Sequence, residues 1–418
     1  MGLVKESTIG DAPVKGPLIG HTRYSTSSTV DESNAQPTKH RSGAEEYAVS
    51  HNGNVSNDRY LAEMLGINTG NISDTHILGE LLREGIEAEG DKQPLILRQQ
   101  LSKVVGSYSM AVLVGGKEPY VIAMRDKFGY MPLSIAETSN LFLVSSESVS
   151  FGTQYISERP SLVRDVRLGE IIFIKPEGMK SYIIPAEQQM PQHCWFQDVY
   201  MMRPDSNSVG LKRVRIGEII ASKYRPDVDM VVPVPDSGML VAYGYANATG
   251  IPIMPGLIKD RYKTVRSFMH NGEVKRQEIL TAKHNVNTAV VQGRNVLLID
   301  DSVVRGATMK KIIELLHAAG AKKVYTAVSS PQIGYDCHFG IDFYRKQLIA
   351  AKYIDMNHEE VCAHVAKELG ADGMYYMETK DLAKIIGVME GSMCTSCLTG
   401  NYVQNVTTRT EEDRRRCS

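Results

Sequence analysis

The sequence predicts two units in series: an α+β domain of antiparallel strands over residues 1–190, then an α/β domain with a parallel sheet over 191–350. A helical region, 351–418, follows them. Three observations carry this. Short β-branched and aromatic runs recur through the first 185 residues, broken by few helical patterns. Strand patterns at 230–234, 296–299 and 324–329 are separated by helices, the signature of parallel strands joined by right-handed crossovers. And in 294–316 the apolar run Val296 to Ile299 ends directly in two carboxylates, a small loop and a helix.

That last stretch organises the rest. Asp300 and Asp301 close the strand, Ser302, Val303, Val304, Arg305, Gly306, Ala307 and Thr308 form the loop, and Ile312, Ile313, Leu315 and Leu316 repeat at helical spacing. Such a loop can bring backbone N–H groups onto an anion at a helix N-terminus, where the macrodipole favours phosphate. The two acids can accept hydrogen bonds from vicinal sugar hydroxyls or help hold Mg²⁺. A plain capped βα turn is the alternative, but one acid suffices for a cap, and two adjacent acids repel unless a cation or polyol lies between them.

In order along the chain, the first domain shows β-like runs at Leu18-Ile19, Tyr47–Val49, Met110–Val114, Tyr120–Met124, Leu141–Val144 and Ile171–Ile174, with helical patterns near 58–65 and 74–87. Gly20-His-Thr-Arg-Tyr-Ser-Thr26, His51-Asn-Gly-Asn54 and Ser73-Asp-Thr75 punctuate it. Arg23 can grip a carboxylate bidentately, Asn52 and Gly53 offer a side-chain amide and a backbone N–H of oxyanion-hole type, and Asp74 can receive an α-ammonium. Together they describe a receptor for a free amino acid; each alone is ordinary loop chemistry.

After a linker at 186–193 come Cys194-Trp-Phe-Gln-Asp-Val-Tyr-Met-Met-Arg-Pro-Asp-Ser206 and Met230-Val-Val-Pro-Val-Pro-Asp-Ser-Gly238, a strand ending in a polar turn before a helix at 239–248. A basic segment opened by Lys259 and Arg261 and continuing through Lys263, Arg266, Lys275, Arg276 and Lys283 is either a solvated face or a flap closing over pyrophosphate. His358-Glu-Glu-Val-Cys-Ala-His364 has its histidines six apart, off the one-face spacing of four, so surface helix is expected there.

Composition narrows the classes. A chain of 418 residues with 42% hydrophobic and 23% charged residues is ordinary globular protein with room for about two or three domains. Lys plus Arg, 47, nearly balances Asp plus Glu, 48, so no global field draws it to nucleic acid or membrane. No apolar run reaches the length of a membrane span, and Met-Gly-Leu-Val-Lys-Glu lacks a signal-peptide core, so the cytoplasm is expected. Six cysteines in such a chain point to thiols, metal or catalysis before disulfides.

The 294–316 segment resembles the phosphoribosyl pyrophosphate (PRPP) loop of type I phosphoribosyltransferases. The three early clusters, with Arg125-Asp-Lys-Phe-Gly-Tyr-Met-Pro-Leu133, Ser145–Ser148 and Arg164–Glu170, resemble the glutaminase domain of N-terminal-nucleophile amidotransferases. Cys394-Thr-Ser-Cys397, Cys337 before His-Phe-Gly-Ile-Asp342, and Cys194 before Tyr…Arg-Pro-Asp-Ser extend this to the iron–sulfur-bearing glutamine PRPP amidotransferase family, from Gly20 to Tyr402. The resemblance implies a [4Fe–4S] cluster on Cys194, Cys337, Cys394 and Cys397; ligand type alone leaves a Zn(Cys)₄ site as runner-up. It implies Mg²⁺ at Asp300 and Asp301, PRPP on Asp236, Ser237 and 300–308, catalytic roles for Tyr200, Lys259 and Arg261, and glutamine on Arg23, Asn52, Gly53 and Asp74.

Expected is transfer of ammonia to ribose C1 of PRPP, the first step of purine synthesis; a nucleobase phosphoribosyltransferase or a non-catalytic PRPP-binding regulator is the alternative. One departure stands out. The family's nucleophile is an N-terminal cysteine several dozen residues before Gly-His-Thr-Arg, whereas 19 residues precede Gly20 and the first cysteine is Cys194. The glutaminase domain is therefore expected to be N-terminally incomplete, and this chain alone unable to use glutamine. A missing start, a separate N-terminal fragment that completes the domain by strand addition, or a decayed glutaminase would each account for that. Other departures are Lys-Asp-Arg-Tyr262 for Lys-Asn-Arg-Tyr, His270-Asn-Gly-Glu in the flap, and Ala307-Thr308 for Thr-Thr. Expected partners are PRPP, ammonia or glutamine, such a fragment, and further copies of the chain as a homo-oligomer, with no nucleic acid and no membrane.

Overall fold

The computed structural model describes residues 16–22, 34–43, 45–68, 72–152, 158–183, 190–259, 284–389 and 391–406. The chain forms two compact units. One takes the residues up to His193, Cys337–Asp342 and those from Tyr402 on; the other takes Cys194–Asp336 and Phe343–Asn401.

The first unit is built on antiparallel strands: β1 (Thr38–Ser42), β2 (Glu45–Val55), β3 (Gly106–Val114), β4 (Tyr120–Arg125), β5 (Ser134–Glu137), β6 (Phe142–Ser145), β7 (Leu162–Asp165), β8 (Glu170–Lys175) and β9 (Gly178–Ile183). A six-stranded sheet runs β1-β2-β3-β4-β8-β9 and a three-stranded sheet β6-β5-β7. The large sheet is covered on both faces, which is why β3, β4 and β8 carry long apolar runs. Ile171 and Phe173 of β8 join Val49, Met110, Val112 and Ile122 against Leu61, Ile77, Leu78, Leu81, Leu82 and Leu97 of three helices. Ile172, one residue out of phase, packs with Ala123, Ile135 and Val166 toward the small sheet. Strand period two sorts them. Each such buried side chain contributes about 1.5–3 kcal/mol.

Leu18-Ile19 is not in a strand, although its composition suggested one. Pro17 directly before it has no N–H to give a ladder, and Gly20 directly after it has no side chain to pack.

In the second unit β10 (His193–Cys194) leads in, followed by β11 (Met230–Pro233), β12 (Leu257–Lys259), β13 (His284–Val286), β14 (Asn295–Asp300), β15 (Lys323–Val328), β16 (Gly373–Tyr376) and β17 (Met393–Cys394). β11-β14-β15-β16 form a parallel sheet. Val296, Leu297, Leu298 and Ile299 are wholly buried because helices cover both faces, Met309, Ile312, Ile313 and Leu316 of Ala307–Ala318 packing on one side. β11 has Ile253 bridged to its free edge in parallel. The chain therefore leaves β11 toward one side and returns to β14 on the other, a topological switch that opens a crevice at the strands' carboxyl ends.

Residues 351–401 are not a separate helical region, since β16 is the fourth strand of this sheet and its neighbour helix His358–Leu369 buries Val361, Cys362, Val365, Ala366 and Leu369. Nor does 191–350 stay together: Cys337–Asp342 belongs to the first unit, held there by the main-chain bonds described below. Glu411–Arg416 lies outside the described residues. No helix among the described residues is long and apolar enough to cross a membrane.

Candidate active sites of the two units

In the second unit Asp300 is the last residue of β14, and the next five residues lead to Gly306, whose left-handed φ of 81° starts the Ala307–Ala318 helix without a side-chain cap. The first N–H groups of that helix are left for a ligand. Gly306 also accommodates Ile349, whose Cδ1 would lie 2.8 Å from an added Cβ. Val303 is buried and anchors the loop; Val304 accepts a bond from Ile349 N, 3.0 Å.

Both carboxylates are buried. Asp301 N–H and Ser237 Oγ donate to Asp300 Oδ1 at 2.8 and 3.0 Å, and Ser302 Oγ donates to Asp301 Oδ1 at 2.5 Å. Burial first, and the Asp301 charge second, push the Asp300 carboxyl well above the usual range. Two buried acids side by side are a site shaped for a cation or a diol. The turn carrying Asp236 and Ser237 is brought against them by Gly238, where a Cβ would meet Ile299 O at 2.2 Å. Only glycine permits that approach.

Tyr200, in a short π-helical turn at Gln197–Met201, has its phenol pushed up by burial and then by the charges of Asp301 and Asp300, so its hydroxyl shares their field. Lys259 Nζ reaches Asp236 Oδ2 at 2.6 Å, both side chains more than half exposed. Asp236 thus lies at the exposed rim of its turn. β12 and β13 pair antiparallel, with Lys259 opposite His284. Arg261 and the segment's other cations lie outside the described residues. Arg305, Ala307 and Thr308 are exposed along the open end of the loop.

The first unit has its own polar pocket. Asn52 and Gly53 lie in β2 opposite Ser109 and Tyr108. A Cβ on Gly53 would meet Ser107 O at 2.2 Å and His51 Nε2 at 2.7 Å, so the strand lies too close to its surroundings for any side chain. Asp74 begins the Asp74–Glu87 helix and is fixed by its Oδ2, which accepts from Val55 N at 3.1 Å, and its Oδ1, which accepts from Thr75 N at 2.9 Å. His51 Nδ1 stands 3.9 Å from Asp74 Oδ2. Gly53 and Asp74 are therefore brought together; Arg23 lies outside the described residues.

Sequence reasoning missed Cys337–Asp342 on this pocket. Asn54 Nδ2 and Ser56 Oγ both donate to His338 O at 2.8 Å, and Ser107 Oγ donates to Phe339 O at 2.8 Å. No local pattern announces contacts 232 to 284 residues apart.

Three cysteines of the expected cluster lie in the second unit. Cys194 is on β10, which pairs with β17 bearing Cys394, and Cys397 follows on a helical turn; all three are buried. Gly334 N and Tyr335 N both donate to Cys397 O at 3.0 Å. Burial raises the Cys394 thiol. Cys337 lies in the first unit, half-buried, with Phe339 N donating to its sulfur at 3.4 Å. Buried thiols on short paired strands suit a group that supplies positive charge to hold them as thiolates. Ligand atoms of a mononuclear tetrahedral zinc site would stand about 3.8 Å apart. Among the described residues, only His40, His76 and Glu80 bring three metal-binding atoms within 4.8 Å of one another.

The fold and these pockets define a class, an enzyme that pairs a glutaminase-type unit with a phosphoribosyltransferase-type sheet. Family models agree, a glutamine amidotransferase domain matching residues 21–152 and a phosphoribosyl transferase domain 213–333. The chain is 34% identical to an amidophosphoribosyltransferase of Methanothermobacter thermautotrophicus, covering 92% of this chain and 79% of the relative. It is 34% identical to that of Bacillus subtilis, covering 93% and 81%. Among solved structures, glutamine PRPP amidotransferase from B. subtilis complexed with ADP and GMP superimposes with a TM-score of 0.79 at 32% identity, over 94% of this chain and 85% of that one. An allosteric regulatory enzyme of purine biosynthesis gives 0.81 at 31%, over 95% and 84%. The chain belongs to the amidophosphoribosyltransferase family.

Proposed function

We propose that this chain forms 5-phosphoribosylamine from PRPP and ammonia, releasing pyrophosphate, as the first committed step of purine synthesis. The observation that carries it is the buried Asp300–Asp301 pair at the carboxyl end of β14, followed at once by the open helix N-terminus at Gly306. The helix N–H groups receive the 5′-phosphate, and the carboxylates hold the ribose 2- and 3-hydroxyls. When bound, Mg²⁺ supplies charge neutralisation to the pyrophosphate, and Asp300 and Asp301 are the residues to support it.

Ammonia's lone pair forms the bond to C1 while the C1–O bond breaks and its electron pair leaves with pyrophosphate; the new nitrogen then gives a proton to water. Little acid–base catalysis is required, because the leaving group departs readily once its charge is met. Lys259 and Arg261 meet it from the flap, and Tyr200 closes the wall, so the protein contributes position and charge. Incubation with PRPP, Mg²⁺ and ammonium should release pyrophosphate. No release, with PRPP still bound, would favour a regulator; release only on adding a nucleobase would favour a base phosphoribosyltransferase.

Glutamine serves as the nitrogen source when a cysteine nucleophile is delivered to the pocket of Arg23, Asn52, Gly53 and Asp74. The first cysteine of the sequence is Cys194, after β9. Cys194, Cys337, Cys394 and Cys397 are read as ligands of a [4Fe–4S] cluster that ties the chain structurally. Protein prepared without oxygen should carry about four irons on that ligand logic, and stoichiometric zinc in their place would overturn it. Further copies of the chain and a cytoplasmic location complete the reading.

A further inference from the structure

We propose that His40, His76 and Glu80 of the first unit form a binding site for a divalent transition-metal ion of the zinc class, apart from both pockets and from the cysteines. His40 is on the edge strand β1, and His76 and Glu80 sit one turn apart on the Asp74–Glu87 helix, on one face at i and i+4. One ligand atom from each lies within 4.8 Å of the other two. Zinc bonds of about 2.0–2.2 Å to nitrogen and oxygen place tetrahedral ligands about 3.4 Å apart, so small side-chain rotations close the set.

His40 is held as a ligand should be. Its imidazole is fully buried, seated where Gly79 leaves room: a Cβ there would lie 2.1 Å from His40 Nε2. Tyr47 stacks on the ring at 5.2 Å and fixes the helix by donating its hydroxyl to Gly79 O, 3.0 Å. In the metal-free protein Nδ1–H donates to Glu80 Oε1, 2.9 Å away, and Thr38 Oγ1 lies 2.9 Å from Nε2; a metal ion takes the place of the Nδ1 proton, Thr38 Oγ1 then accepting from Nε2–H, with the His76 ring 4.7 Å away between centroids. Burial first, with His76 opposing a second charge, keeps His40 neutral despite the Glu80 hydrogen bond.

A proton held between an imidazole and a carboxylate is one that a divalent cation can displace, and a hydroxyl holding the opposite ring nitrogen is the outer support metal-bound histidines use. Glu80 Oε2 is engaged by Arg83 at 3.4 Å, leaving Oε1 for the metal. Glu80 is partly exposed, which gives entry and room for a water as fourth ligand. Two imidazoles and a carboxylate select zinc, cobalt, nickel or copper over magnesium and calcium.

The test uses the full chain, prepared without oxygen and titrated with Co²⁺ as probe. One equivalent should bind with visible ligand-field bands and no sulfur-to-metal charge transfer, and zinc should displace it. His76→Ala and Glu80→Gln, at partly exposed positions, should each weaken binding at least tenfold and abolish a zinc-dependent rise in melting temperature, while ammonia-dependent pyrophosphate release stays unchanged as a control of fold. Cobalt bound equally by wild type and His76→Ala, cobalt bound only through sulfur, or no cobalt bound to the folded wild type would each overturn the assignment.

Discussion

The two units each place acids near a helix N-terminus, and they treat them in opposite ways. In the first, Asp74 is satisfied by its own backbone, taking N–H groups from Val55 and Thr75. In the second, Asp300 and Asp301 are buried side by side, and burial first, then the Asp301 charge, pushes the Asp300 carboxyl up. Main-chain donors hold both oxygens of Asp74.

The largest effect should come from breaking that second arrangement. Asp300→Asn with Asp301→Asn should lower pyrophosphate release from PRPP and ammonium by about a hundredfold to a thousandfold, the scale of losing preorganised charge at a reacting centre. The melting temperature should not fall, since two buried acids are removed with their repulsion. Unchanged turnover would mean that the acidic pair is structural and the contrast empty.

Next comes the close approach in the first unit. Gly53→Ala drives a Cβ against Ser107 O, at 2.2 Å, and should cost about 3 kcal/mol. Hydrogen exchange should speed in β3, while the β11-β14-β15-β16 sheet stays protected. Equal loosening of both would show that the units do not respond separately.

A smaller effect follows pH. Asp126 is pushed up to about 6 by burial, against Arg125 and against N–H donors on Phe128, Gly129 and Tyr108. A folded value above the ordinary one favours folding below about pH 4, and that contribution fades as pH rises through about 6. Glu170 works the other way: burial opposes its charge, but hydrogen bonds from Arg164, Ser181 and Arg167 N outweigh it, so its stabilisation is lost in acid. Asp126 alone should lower the stability of the first unit by about 2 kcal/mol from pH 4 to 7, with Glu170 opposing it. Carboxyl-carbon NMR should find Asp126 titrating near 6; a midpoint below 4 would remove the argument.

The least change is expected from Lys259→Ala. Its pair with Asp236 is more than half exposed on both sides, so stability should move by less than about 0.5 kcal/mol. The KM for PRPP should still rise about tenfold, because a charged hydrogen bond to the ligand is lost. Calorimetry and initial rates separate the two.

Much of the second site was legible because its strand is buried on both faces, so Val296 to Ile299 read as one apolar run that stops at the acids. β1 left no such trace. Thr38, His40 and Ser42 point inward while Lys39 and Arg41 are exposed, so the buried face is polar and hydrophobic periodicity is silent. His76 and Glu80 did have the one-face spacing of four, but their third partner is a strand away. The helix Lys92–Leu101 hid behind Pro94 and its glutamines, though proline is at home in a first turn. Glycines 53 and 238 looked like turn punctuation; their close approaches come from neighbours distant in sequence.

The return of Cys337–Asp342 and Tyr402 to the first unit bears on the order in which the protein is made. Asn54, Ser56 and Ser107 wait for the carbonyls of His338 and Phe339, Tyr130 for the Phe339 ring stacked at 4.1 Å, and Gly106 for Gln404, which engages both its backbone groups at 2.9 and 2.8 Å. Domains commonly fold on the ribosome as each is finished, the N-terminal one first. Here the leading unit cannot close until the trailing one has been synthesised almost entirely, so a ribosome halted after residue 193 should hold a sheet whose polar edge residues still lack their acceptors, a substrate for chaperones and proteases in place of a finished glutaminase-type module.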